Sequence, residues 1–78
     1  MKSAKEMFEE LGYKENKTKL GVQYIKTEFP GEDKCIFEFD FLDKTVMCYY
    51  KNFLTNSPYN LSIRHIDAIN KKLKELGW

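Results

Sequence analysis

The stretch CIFEFDF (residues 35–41) decides the fold that we predict for this chain. Cys35 and three phenylalanines occupy alternate positions, and Ile36, Glu38 and Asp40 occupy the positions between them. Successive side chains of a strand point to opposite faces of a sheet, so this spacing gives one apolar face and one mostly acidic face. We therefore expect a strand that packs its phenylalanines into the core and turns its carboxylates outward.

A second strand, VMCYY (residues 46–50), follows closely enough to form a hairpin with the first. With Asp43 and Lys44 as a two-residue turn, Phe41 would lie opposite Val46. The same register pairs Phe39 with Cys48 and Phe37 with Tyr50. It predicts that Val46, Cys48 and Tyr50 join the phenylalanines on the buried face.

The two cysteines, Cys35 and Cys48, are the only ones in the chain. In this register they are four strand positions apart, roughly 13 Å at about 3.3 Å per residue, which is too far for a disulfide. We expect both to be buried, reduced and unbridged, as small core residues.

The segment before this hairpin is less regular. Residues 20–29 favour a strand, but Tyr24 and Ile25 cannot both point inward without a bulge, so its inward face stays open. The polar residues 14–19 read as a loop, and Pro30-Gly31-Glu32-Asp33 reads as a turn.

Two helices flank the strands. Ser3 and Glu6 have the spacing of a capping box, and an apolar stripe then ends at Gly12, which predicts a helix over residues 3–11. Ser62, or Asn60 in its place, caps a longer helix that ends at Gly77. Its predicted stripe consists of Ile63, Ile66, Ile69, Leu73 and Leu76.

The elements together predict one α+β domain spanning residues 1–78, with the order α-β-β-β-α. The sheet would have three antiparallel strands, and both helices would pack on its apolar face. A chain of 78 residues leaves room for one hydrophobic core.

The sequence contains no pattern of residues that is typical of a catalytic site or a metal site. Glu38, Asp40 and Asp43 are close in sequence, but an exposed strand face does not make several oxygen ligands converge on a cation. His65 is the only histidine, and it reads as a surface residue of the last helix. No glycine-rich phosphate loop is present. We therefore expect no enzymatic activity, no metal site and no cofactor.

The outer face of the hairpin is the predicted binding surface for a protein partner, which includes the option of a second copy in a homodimer. Residues 28–43 hold six carboxylates against Lys34 alone, and large apolar side chains share their face. The predicted partner-binding residues are Ile36, Glu38, Asp40, Met47 and Tyr49.

Nucleic-acid binding is the alternative. The element order resembles that of double-stranded-RNA-binding domains. The loop between the first two predicted strands is acidic here, however, and the net charge of the chain is only +1, which disfavours contact with phosphates. A small nucleic-acid-binding regulator would use the basic loop and the C-terminal helix. The candidate contacts are Lys14, Lys17, Lys19, Lys71, Lys72 and Lys74.

The chain also resembles small uncharacterised proteins encoded by phages and prophages of Gram-positive bacteria. The resemblance rests on residues 4–13, on Phe39-Asp40 with residues 43–46, and on residues 68–72 with 75–78. It implies an accessory protein that binds a host protein, for example as an inhibitor of a defence system. With no signal peptide and no apolar run of membrane-spanning length, we expect it in the cytoplasm of the bacterial host and not in a membrane.

Overall fold

Two helices and four strands make up the computed structural model, which describes residues 2–28, 33–51 and 61–78. The α+β class is confirmed. The elements in chain order are α1 (Ala4–Glu10), β1 (Lys14–Lys17), β2 (Gly21–Glu28), β3 (Asp33–Asp40), β4 (Thr45–Lys51) and α2 (Ile63–Leu76).

Strand β1 corrects the prediction of a three-stranded sheet, which is wrong. Lys14 and Lys17 pair with Ile25 and Val22 of β2, in a segment predicted to be a loop. The four strands form one antiparallel sheet in the order β1-β2-β3-β4. An edge strand contributes few side chains to a core and is often charged, so β1 carries no apolar alternation by which to recognise it.

The hairpin between β3 and β4 forms as predicted, but its register differs by two residues. Phe39 lies opposite Val46, because the turn spans four residues, Phe41 to Lys44, and not two. A positive φ of 53° at Lys44 helps to close this longer turn. A shift of two residues leaves each side chain on its predicted face.

The corrected register also moves the cysteines closer together. Cys48 lies opposite Phe37, two strand positions from Cys35 rather than four. No disulfide joins the two cysteines, and only Cys35 is buried as predicted, whereas Cys48 is half-buried.

Strand β2 directs Val22 and Tyr24 into the core, which leaves Ile25 on the opposite face without a bulge. The predicted turn at residues 30–33 lies outside the described residues, apart from Asp33, which begins β3.

Both helix caps are confirmed at their N-termini. The Ser3 hydroxyl accepts a hydrogen bond from the Glu6 amide at 3.2 Å, and the Glu6 carboxylate completes the capping box. After α1, the Tyr13 amide donates to the Phe8 carbonyl at 2.9 Å, so the tyrosine folds back into the core. Ser62 caps α2.

The apolar stripe of α2 is only partly buried. Ile69, Leu73 and Leu76 pack against the core, but Ile63 is 71% exposed and Ile66 is also exposed. The fully buried residue of this helix is Ala68, which the predicted stripe does not include. A small side chain at that position lets the helix approach the aromatic core closely.

An aromatic cluster joins both helices to the same face of the sheet, as predicted. Phe8 of α1 stacks on Tyr24, with ring centroids 4.1 Å apart and planes 10° apart. His65 of α2 stacks on Phe37 at 5.7 Å, and Trp78 lies 6.5 Å from Phe39. This face is the inner face, and the opposite one is called the outer face below.

Candidate protein-binding face

The outer face consists of the strand residues that alternate with the core residues. The strand registers place Ile36 beside Ile25 and Tyr49, and Glu38 beside Gln23 and Met47. The five predicted partner-binding residues all lie on it: Ile36, Glu38, Asp40, Met47 and Tyr49.

A polar row crosses the outer face. The side-chain Nδ2 of Asn16 donates to Gln23 Oε1 at 3.1 Å, and Gln23 Nε2 donates in turn to Glu38 Oε1. Met47 continues the row and is 54% exposed. Gln23 therefore orients the Glu38 carboxylate beside an exposed apolar side chain. Gln23 could not be recognised from the sequence, because only the strand register shows that it lies opposite Glu38.

An apolar row lies next to it and is less accessible. Ile36 is only 8% exposed, so it supports the face more than it offers contact area. Tyr49 is half-buried, and burial, with a smaller effect of the Glu38 charge, raises the pKa of its phenol. The row runs from Lys14 on β1 through Ile25 and Ile36 to Tyr49.

Asp40 lies on the outer face and also stabilises the turn that follows β3. Its Oδ1 accepts hydrogen bonds from the amides of Leu42 at 2.8 Å and Asp43 at 3.3 Å, which caps the turn into β4. Asp40 and Glu38 also line a cavity of about 570 Å³ at this end of the sheet. The carboxylates thus border a concave surface.

The charges of the outer face are separated along the strands. Glu38 and Asp40 lie toward one end of the sheet, and Lys34, opposite Thr27, lies toward the other. Lys14 lies at the β1 edge, opposite Ile25. A partner that matches this face would therefore present basic groups to the carboxylate end.

The lysines of the nucleic-acid alternative do not share one surface. Lys14 belongs to the outer face, whereas the helices lie on the inner face. Lys72 is largely buried, with its Nζ 5.8 Å from the ring centroid of Tyr24 and 3.9 Å from Glu75. Lys71 and Lys74 line a cavity beside Met7 of α1. Lys17 is exposed on β1, and Lys19 is exposed in the turn that follows it.

His65 is a packed residue and not the simple surface residue that the sequence suggested. Its Nδ1 lies 2.7 Å from the Ser62 hydroxyl, and its Nε2 lies 3.3 Å from the Tyr13 hydroxyl. Burial lowers the pKa of the imidazole, and the nearby charges of Lys26 and Arg64 lower it further. These contacts hold α2 against the sheet.

The lowered pKa predicts that stability falls on mild acidification. The unfolded chain, with an ordinary histidine pKa of about 6.5, takes up the proton before the folded chain does. The contribution of His65 is therefore fully present above that value and is lost as pH falls through it toward the folded pKa. We expect a lower Tm at pH 5.5 than at pH 7.5. Because this is the only histidine, His65→Gln should flatten the difference in a thermal-melt series.

A partly buried hydrogen bond connects β1 to the core. The Tyr24 hydroxyl donates to Glu15 Oε2 at 3.0 Å, and burial, reinforced by this bond and by the Glu15 charge, raises the pKa of the phenol. Across the same layer, Glu75 Oε2 accepts the Ala4 amide at 2.7 Å. These bonds join elements of the fold to one another, which explains why charged residues are tolerated there.

Metal, membrane and family comparisons add no further assignment. Within residues 2–28, 33–51 and 61–78, no three His, Cys, Asp or Glu side chains are grouped closely enough to hold a metal ion. Neither described helix combines the length and the apolarity that a bilayer span requires. Comparisons with protein families, with curated proteins and with solved structures found no match.

Proposed function

We propose that this protein is a non-enzymatic binding module of the phage accessory type, acting in the host cytoplasm, and that its outer face takes a protein partner such as a host or defence-system protein. One observation carries the proposal: Met47 is 54% exposed beside the Glu38 carboxylate, on the sheet face opposite both helices. An apolar side chain next to an oriented charge is the combination that protein interfaces use for affinity and for specificity.

The chemistry of the face indicates the chemistry of the partner. Glu38 accepts a hydrogen bond within the fold through Oε1, and Asp40 does so through Oδ1. Their other oxygens favour lysine or arginine groups of a partner, while Met47 favours an apolar contact. The partner is therefore a protein with a basic surface and an apolar centre.

Neutralising the two carboxylates tests this proposal. The double variant Glu38→Gln, Asp40→Asn keeps side-chain oxygens that accept hydrogen bonds, so the turn into β4 is preserved while the charge is lost. We expect the Kd for a partner captured from host lysate to rise about tenfold or more, measured by calorimetry with the purified pair.

A matched control removes the same charge from the helical layer. Glu9→Gln with Asp67→Asn changes two exposed carboxylates of α1 and α2, far from the outer face, and should leave the Kd unchanged. Equal binding by both double variants would refute the proposed surface. Retention on heparin or DNA that falls steeply with salt and depends on the six lysines would favour the nucleic-acid alternative instead.

A further inference from the structure

The two edges of the sheet differ in how they are protected. β1 has four residues, Lys14-Glu15-Asn16-Lys17, all polar and three of them charged, which is a common way to discourage strand addition. β4 has seven residues, Thr45–Lys51, with no proline and no charge before Lys51. Of the two edge strands, only β1 has features that protect it against pairing with a further strand.

The geometry of β4 leaves its edge suitable for pairing. It pairs with β3 without interruption, from Asp40 opposite Thr45 to Lys34 opposite Lys51, so no bulge twists the strand away. Among the described residues, no strand lies on its other side. The backbone groups on this side of β4 pair with no other described strand, and they form a regular row that a further strand would satisfy.

Exposed apolar side chains accompany this edge. Val46 is 36% exposed on the inner side of the strand, and Met47 is more exposed on the outer side. The preceding turn adds Phe41 at 43% and Leu42 at 84%. An added strand would cover apolar surface on both sides of the sheet, in addition to forming backbone hydrogen bonds.

We propose that β4 pairs antiparallel with β4 of a second copy, across a two-fold axis perpendicular to the sheet. Centred on Cys48, this pairing sets Met47 of one copy opposite Tyr49 of the other, an aliphatic–aromatic cross-strand pair of a favourable kind. The single charge, Lys51, comes opposite Thr45, so no like charges meet. A strand without internal charge is thereby complementary to itself.

The result is one eight-stranded sheet with both helical layers on one side and both outer faces on the other. The axis is perpendicular to the sheet, so both outer faces lie on one side of the dimer, and their β3 carboxylates, away from the paired edge, stay open. The contact is small, and we expect a Kd on the order of micromolar.

A pair of lysine substitutions in one cross-strand row tests the inference. Met47→Lys puts a charge on the β4 edge, and Asn16→Lys puts the same charge on the β1 edge of the same face. Light scattering on the full chain at about 100 times that Kd should give twice the 9.3 kDa monomer mass for the parent and for Asn16→Lys. It should give the monomer mass for Met47→Lys, with unchanged circular dichroism.

Amide hydrogen exchange supplies a second measurement that reports on the backbone. In the dimer, alternate amides of β4 should become at least tenfold slower to exchange at high protein concentration, while those at the β1 edge should not change. A monomer at every concentration, a dimer that both lysine variants disrupt, or unprotected β4 amides would each overturn the inference. Neither measurement involves the partner of the outer face, so each proposal stands or fails alone.

Discussion

Phe8→Ala should destabilise the protein by about 4 kcal/mol, the largest effect that we expect from shortening one side chain. Phe8 is fully buried, stacks on Tyr24 and contacts the rings of Tyr13, Phe37 and Phe39. It also anchors α1, a helix of only seven residues that is too short to be stable alone. Removing the ring leaves a cavity and releases the helix.

Urea unfolding followed by circular dichroism measures this loss. A domain of this size has only several kcal/mol of stability, so the variant should be largely unfolded near 37 °C. Phe41→Ala is the matched control, because Phe41 is partly exposed and should cost less than about 1.5 kcal/mol. Similar midpoints for the two variants would show that the aromatic cluster does not hold α1.

Gly21→Ala is the second large expected effect, at about 3 kcal/mol or more. The first residue of β2 lies so close to β3 that a Cβ on Gly21 would collide with the backbone carbonyl oxygen of Phe39. Backbone atoms cannot move aside as a flexible side chain can. The two paired strands would have to separate at this end of the sheet, where Gly21 lies opposite Asp40.

Gly77→Ala separates this steric effect from the general cost of replacing glycine. Gly77 ends α2 with a φ of 73°, and a Cβ there meets no atom within 4 Å. Its replacement should cost about 1 kcal/mol, from the left-handed conformation alone. Urea midpoints for both variants give the comparison. If Gly21→Ala were no worse than Gly77→Ala, the close approach of β2 to β3 would be wrong.

The elements with strong local signals were predictable from the sequence. The capping box at Ser3, the N-cap at Ser62 and the alternation through Phe37 and Phe39 each depend on residues a few positions apart. These signals also specify the faces of β3 and β4. For that reason the residues of the outer face were assigned to the correct face, although the predicted register between β3 and β4 was wrong.

The remaining features depend on contacts that the sequence alone does not reveal. β1 is recognisable as a strand only once Lys14 is seen opposite Ile25. The four-residue turn depends on the positive φ at Lys44, and a lysine in the sequence does not indicate that conformation. The roles of Gln23 and His65 follow from neighbours 15 and 52 positions away.

The hydrogen bond between Glu75 and the Ala4 amide bears on how the chain folds. It joins residues 71 positions apart, whereas each hairpin of the sheet joins strands that are close in sequence. Loop-closure entropy favours the local hairpins first, so the two helices meet only late. Until then the phenylalanine-rich side of the nascent sheet is open to water and to other chains. We therefore expect aggregation to compete with folding before α2 docks, and slow synthesis or low temperature to improve the yield of native protein.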